Sequence, residues 1–397
     1  MLPEETFCMA PWFRVRSDGP NKLRPCCEWK GKTSSTIQDY QTSNYMQDVR
    51  QRLLDGNKIK ECASCWKNED AGLSSLRETL TQSIVKKQTL NKSIVSHLLK
   101  DNIQRTEVIS ADVKIGNLCN FSCAMCHPLD SSSIYNRWIK SPANEFIPTD
   151  PNYFLNVKNK TQQDLPEIIE EVLQKKSLVD LQLLGGEPLM YKLLIQRLTE
   201  IPIKQKKRMR IEFLTNGSKP LRASAEKLSD FKAVNVLVSL EGIGDTQDYI
   251  RKGSDWNYIE NNILEFLEYS QTSNSYLQIN PTLQALNLEG FPNLIKWCNK
   301  HNIGMGVHGT VVEPDYLGIN VVTKKFYNNI HDKLKDSKFT LGDIAYNSIG
   351  LLERMTTHNY SSQLKDRFIR FIDWYEQDSK LKFKKVMPKL YDDVHNI

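Results

Sequence analysis

The spacing of apolar and polar positions changes period along the chain. Arg14–Cys27 alternates, breaks at Asp18-Gly19-Pro20 and returns, which predicts a hairpin ending in two cysteines. From Ser43 to Leu54 the period is helical: Tyr45, Met46, Val49 and Leu53 share a face, Ser43 can cap it and Gly56 follows it. Ser74 to Leu99 is polar, helical in tendency and reads as a connection. Short strand-like runs then alternate with helical ones. Strands are predicted at Asp112–Asn117, Val179–Leu184, Arg210–Leu214, Val234–Leu240, Tyr276–Leu283 and Gly304–Val312. Helices are predicted at 165–174, with Asp164 as cap, at 221–228 and at 256–269. Six such βα units imply an α/β fold with a largely parallel sheet, a partial (β/α)6 TIM-like barrel open on one side. Residues 128–162, rich in Asn, Pro and Ser, read as a long irregular insertion, either a substrate-covering lid or a plain surface loop. After residue 319 the pattern is helical, with Leu364, Phe368, Phe371, Ile372 and Tyr375 on one face and Met387–Tyr391 ending it. Packing onto the open barrel edge is expected of this region, with substrate recognition as the alternative. The divisions expected are 1–105, 106–318 and 319–397.

Composition narrows the class. The 397 residues suffice for two or more domains. No apolar run is long enough to span a membrane, and the N-terminus lacks the basic-then-apolar pattern of a secretory signal, so a cytoplasmic location is expected. The net charge of +6 is dispersed, with Lys204–Arg210 the densest basic run, which gives no nucleic-acid footprint. Nine cysteines without an export signal argue for metal binding over disulfides. Eight of them precede residue 127; Cys298 sits alone in a helical pattern as a small core residue.

The chemistry concentrates in Asn117–Cys126, NLCNFSCAMC. Cys119, Cys123 and Cys126 could hold three irons of a cubane and leave the fourth open to a ligand. They follow a predicted strand, at the end where barrel folds place their chemistry. A zinc site or unrelated buried thiols are the alternatives. Upstream, Cys8, Cys26, Cys62 and Cys65 can converge on one four-thiolate site, with Cys27 as alternate or spare. Spacing leaves zinc and iron–sulfur both open there.

The other strand ends carry polar groups. Gly185-Gly186-Glu187-Pro188 offers close-approaching carbonyls and a carboxylate, acceptors that suit an ammonium group. Thr215-Asn216-Gly217 reads as a βα turn, because a helical stretch follows it, with a hairpin as the alternative. In Ser239-Leu240-Glu241-Gly242 the acid at the strand end is placed to accept hydrogen bonds from ribose hydroxyls. Arg251 can hold a carboxylate bidentately. Gln284 and Asn287 are weaker adenine-side candidates. His308 is either a proton carrier or a core histidine.

The three-cysteine spacing, with Met125 before the last cysteine, resembles the signature of the radical S-adenosylmethionine (SAM) enzymes. The GGEP, TNG-like and SLEG segments resemble that family's SAM-binding motifs, Glu241 standing where Asp is common. The resemblance implies a 4Fe–4S cluster on Cys119, Cys123 and Cys126. It places the SAM amino group at Gly185–Pro188, with Thr215 and Asn216 nearby. Ribose falls at Ser239 and Glu241, the methionyl carboxylate near Arg251 and adenine near Met125. Phe7-Cys8, Pro11-Trp12, Gly19, Pro25-Cys26-Cys27, Cys62–Trp66, Glu69, Gly72 and Ser75 resemble the SPASM or twitch modules of that family. This implies one auxiliary 4Fe–4S cluster, here ahead of the barrel instead of after it. The family further implies hydrogen abstraction by a 5′-deoxyadenosyl radical and an external reductant such as a flavodoxin or ferredoxin. A peptide or protein substrate is expected by analogy, with a small metabolite as the alternative. A non-catalytic metal-scaffolded binding protein is the reading from another class.

Overall fold

The computed structural model describes residues 5–19, 21–70, 75–86, 106–141, 145–146, 165–306, 310–311, 313–336 and 359–396. Among them eight strands form one sheet: β1 (Arg14–Ser17), β2 (Leu23–Arg24), β3 (Ser110–Lys114), β4 (Asp180–Leu184), β5 (Arg210–Thr215), β6 (Ala233–Val238), β7 (Leu277–Ile279) and β8 (Gly304–Met305). Their order is β2-β1-β3-β4-β5-β6-β7-β8, parallel throughout except for the β1–β2 hairpin. The six barrel strands therefore lie side by side in chain order, as repeated βα units require.

Alternation sets the two faces. In β5, Ile211, Phe213 and Thr215 are buried while Arg210, Glu212 and Leu214 are half-buried. Ala111 and Val113 of β3 and Leu181 and Leu183 of β4 share the buried face. The other face is polar: Gln182 donates to Glu212 at 2.6 Å, and Arg210 grips Asp180. Helix Trp256–Thr272 starts on Asp255, whose carboxylate accepts from the Tyr258 amide.

The strand predicted at Tyr276–Leu283 is shorter than expected. β7 stops at Ile279, two residues before Pro281, which has no amide hydrogen for the ladder. An isolated bridge then joins Leu283 to Thr310. Of the strand predicted at Gly304–Val312, positions 307–309 and 312 lie outside the described residues, and β8 is its described ladder.

The N-terminal hairpin extends the same sheet. β1 pairs in parallel with β3, Arg14 opposite Ser110 and Ser17 opposite Val113. Arg14 also reaches both oxygens of Asp112 at 2.6 Å. Behind the hairpin, helix Asn44–Leu54 buries Met46, Val49 and Leu53; Ser43 is its N-cap, without a side-chain bond. Arg50, fully buried on that helix, donates to the carbonyls of Pro11, Tyr40 and Gln41 and so satisfies acceptors on the short helices Ala10–Phe13 and Ile37–Thr42 that precede β1 and this helix.

The stretch expected to be irregular after the cysteine loop contains helix Ser132–Ile139, capped by Ser131. Positions 142–144 and 147–164, which hold most of the lid candidate, lie outside the described residues, as do Asp164 and His308. In the C-terminal region, helix Ser362–Tyr375 buries Phe368, Phe371, Ile372, Trp374 and Tyr375. The Tyr375 hydroxyl lies 3.0–3.2 Å from the carbonyls of Ser122, Tyr249 and Ile250, so this helix packs against the cysteine loop. No helix among the described residues is long and apolar enough to cross a membrane.

Candidate active site

The loop carrying Cys119, Cys123 and Cys126 leaves the C-terminal end of β3 and is latched from several sides. The Ser132 hydroxyl accepts from the Cys119 amide, and Ser133 donates to the Cys119 carbonyl. Ser131 donates to Phe121 O at 2.7 Å. On the other side the Ser122 and Ala124 amides donate to the carbonyls of Lys252 and Ile250. Tyr191 accepts from the Leu118 amide. Each contact satisfies backbone that a loop would otherwise leave to water, and each fixes a cysteine in place.

The sulfurs meet donors. The Phe121 amide and Asn216 Nδ2 approach Cys119 Sγ at 3.5 and 3.8 Å, and Arg251 Nη1 approaches Cys123 Sγ at 3.8 Å. Burial pushes all three thiols up, Cys123 to about 12 even beside the Arg251 guanidinium. Desolvated thiols of this kind ionise when a cation takes the charge, and soft sulfur donors suit iron. Cys126 is also raised by the charges of Cys123 and Cys119, so the three sulfurs share one neighbourhood. Among the described residues no three Cys, His, Asp or Glu side chains close on a point as ligands of a single ion would.

Gly185 and Gly186 both have positive φ, +88° and +52°. A Cβ on Gly186 would lie 2.3 Å from Leu118 O, and one on Gly185 2.9 Å from Gly116 O. The glycines therefore let the end of β4 press against the cysteine loop, where the Glu187 amide donates to Leu118 O. Pro188 is buried and begins a short 3-10 turn. Glu187 is fully buried. Its carboxylate accepts from Thr215 Oγ1 at 2.7 Å, the Asn216 amide at 2.6 Å and the Leu189 amide at 3.1 Å. It clamps the ends of β4 and β5 together. Burial pushes its carboxyl up, opposed by these hydrogen bonds. Asn216, held by the clamp, bonds Asn120 Oδ1 at 3.0 Å and so braces the loop from the β5 side.

Glu241 is likewise fully buried and internally engaged. One oxygen takes Arg251 Nη2 at 2.7 Å; the other takes the Thr282 amide and Asn287 Nδ2, both at 3.1 Å. Burial raises its carboxyl and the Arg251 charge opposes that. Arg251 thus bridges Glu241 and the Cys123 sulfur, and its buried Nε has no partner among the described residues. Asn280 Oδ1, at the end of β7, is another buried orphan. Ser239, half-buried, ends β6 with its amide on Thr215 O, and Met125 is half-buried on the loop. Gln284 is buried next to the Glu241 network. The strand ends therefore present soft sulfur donors, cramped glycine backbone and unpartnered polar atoms together, a donor set that fits a cluster with a polar organic ligand.

At the other cysteine set, Cys8, Cys26, Cys62 and Cys65 act on one another. Burial raises Cys26 and Cys62, each further raised by Cys8, and pushes Cys8 to about 12 with Cys65 adding to it. Cys65 is raised by burial as well. Cys27 is exposed, and its charged neighbours are Arg16, Glu28, Asp112 and Arg14. Sequence reading missed Arg77, which grips Glu69 bidentately at 2.8–2.9 Å and donates to Phe7 O, tying the segment before Cys8 to the helix after Cys65. It also missed Ser131–Ser133, Tyr191 and Tyr375 as supports of the loop. The serine before an Ile134/Trp138 helical pair was the available signal for the first of these.

Residues 113–298 match the family described as Radical SAM superfamily. A probable GTP 3′,8-cyclase of Methanocaldococcus jannaschii is 25% identical over 233 residues, which is 58% of this chain and 66% of that protein. Among solved structures, native anSMEcpe with bound AdoMet is similar at 16% identity and a TM-score of 0.40, over 57% of this chain and 59% of that one. Streptococcus suis SuiB bound to S-adenosylmethionine is similar at 14% identity and a TM-score of 0.41, over 74% and 64%. The chain thus spans less than two thirds of each of these relatives, from 59% to 66% of their length.

Proposed function

We propose, for a chain whose residues 113–298 match the Radical SAM superfamily, that this protein is an enzyme that uses a 4Fe–4S cluster and S-adenosylmethionine to abstract a hydrogen atom from a peptide or protein substrate. The observation that carries the reading is the three-sulfur loop latched between the GGEP turn and the Thr215–Gly217 turn. When bound, the cluster and SAM supply an electron transfer that splits SAM into methionine and a 5′-deoxyadenosyl radical. The chain's own residues hold and tune. Asn216, the Phe121 amide and Arg251 stabilise negative charge on sulfur. Backbone carbonyls at Gly185 and Gly186 receive the SAM ammonium, while Glu187 keeps the turn rigid. Arg251 Nε would bind the methionyl carboxylate, Ser239 the ribose and Met125 the adenine. Glu241 serves this site by orienting Arg251.

In this reading residues 1–105 form a module holding one auxiliary 4Fe–4S cluster on Cys8, Cys26, Cys62 and Cys65, with Cys27 outside the set. Residues 106–318 form the barrel and 319–397 a helical brace. An external donor such as a flavodoxin or ferredoxin supplies electrons at the low end of iron–sulfur potentials. A second reading, a nucleotide or related small substrate, is favoured by the relative named as a probable GTP 3′,8-cyclase. Deuterated candidate substrates separate the two: label enters 5′-deoxyadenosine only from the true one. Iron and acid-labile sulfide tests the metal assignment. After anaerobic reconstitution about eight irons per chain are expected, and about four after Cys119/Cys123/Cys126→Ala or Cys8/Cys26/Cys62/Cys65→Ala. Cys27→Ala should change nothing. Zinc without sulfide at the N-terminal set would refute the auxiliary cluster.

A further inference from the structure

Beside the cysteine loop, between helix Ser132–Ile139 and the end of helix Ser362–Tyr375, lies a cavity of about 450 Å³. None of the GGEP, Thr215–Gly217 or Ser239–Gly242 residues lines it. Its size is that of a small-molecule site. Among the described residues its wall holds Arg137, Lys140 and Lys252 against one carboxylate, Asp378, which leaves two positive charges unmatched there.

The groups are built in. Arg137, 12% exposed, lies 4.4 Å over the Trp374 ring and 4.8 Å over Tyr375. Its Nη2 is committed to Tyr375 O at 2.7 Å and Asp378 at 2.8 Å, while its Nη1 is buried and has no partner among the described residues. Lys252 Nζ donates to Tyr375 O at 2.6 Å and to Asp378 at 2.5 Å. Ser122, 9% exposed and lying between Cys119 and Cys123, has a buried hydroxyl without a partner among the described residues. A stranded guanidinium N–H and a stranded hydroxyl cost free energy unless an acceptor arrives. A doubly charged oxyanion supplies both the acceptors and the missing charge.

We propose that this cavity binds the phosphate group of a small phosphorylated ligand. Arg137 Nη1 and the Ser122 hydroxyl bond its oxygens, and Lys252 and Lys140 balance its charge. Ser122 also donates its amide to Lys252 O, and its carbonyl accepts from the Tyr375 hydroxyl, so an occupied site braces the cysteine loop against the C-terminal helix. The assignment is independent of the reaction and substrate proposed above.

The test is calorimetric titration of the reconstituted holoprotein with inorganic phosphate and pyrophosphate at low ionic strength. Saturable one-to-one binding that weakens with added salt is expected. Lys140→Gln, on an exposed residue, should weaken it about threefold or more, and Asp378→Asn should tighten it by a similar factor. Arg137→Gln should abolish it. Because Arg137 also holds the 374–375 carbonyls, the lysine and aspartate variants keep the test valid should that variant unfold. Absence of saturable binding at millimolar phosphate, affinity indifferent to Lys140→Gln and Asp378→Asn, or equal affinity for glutarate would overturn the proposal.

Discussion

Replacing Glu187 by alanine should destabilise the fold before it touches any ligand. The carboxylate is fully buried and receives two backbone amides and one hydroxyl. The Thr215 hydroxyl can rotate toward another acceptor, so the certain loss is the two amides of Leu189 and Asn216. Each stranded buried donor costs about 1–3 kcal/mol, which gives about 2–6 kcal/mol for the pair. Glu187→Gln keeps one carbonyl oxygen and turns an NH₂ toward the other donor, so about half that loss is expected. The assay is anaerobic urea unfolding followed by tryptophan fluorescence, with the change read from the midpoint at constant slope. Iron retention should fall in parallel, because Asn216 reaches both Asn120 and the Cys119 sulfur. A Glu187→Ala protein within 1 kcal/mol of wild type, with only SAM affinity reduced, would refute the clamp and make this carboxylate a ligand contact.

Other substitutions follow from the same bookkeeping of buried groups. Arg251→Ala strands the buried Glu241 carboxylate and should cost about 3–5 kcal/mol in urea unfolding; adding Glu241→Gln should recover part of it. Arg197 grips Glu170 through two bonds of 2.7 and 2.8 Å on the surface, and those bonds hold the Glu170 carboxyl below its ordinary 4.5. The stabilisation is present above pH 4.5 and is lost as pH falls through the lower folded value. Arg197→Gln should therefore cost at most about 1 kcal/mol at neutral pH, a gap that closes on acidification; a gap that widens would contradict the assignment.

The strand ends were the most legible part of the sequence. Alternation located all six barrel strands, and the chemistry-bearing residues sit just after them because that is where side chains leave the sheet. The pairing of β1 with β3 was not legible, since its partners are nearly a hundred residues apart and neither strand carries a mark for the other. Helix Ser132–Ile139 was hidden by composition: three consecutive serines read as loop, yet one caps the helix and all three hold the cysteine loop. Glu187 and Glu241 were visible as acids at strand ends, but a carboxylate accepts equally from a ligand or from its own backbone. Only burial and distances reveal that both are internally engaged.

The central claim is that Cys119, Cys123 and Cys126 support reductive cleavage of SAM. The most direct measurement is 5′-deoxyadenosine formed after anaerobic reconstitution, reduction with dithionite and addition of SAM, in wild type and in Cys119/Cys123/Cys126→Ala. The account predicts product from wild type alone. Equal product from both proteins, or none from a wild type that holds its full iron and sulfide and binds SAM, would contradict it.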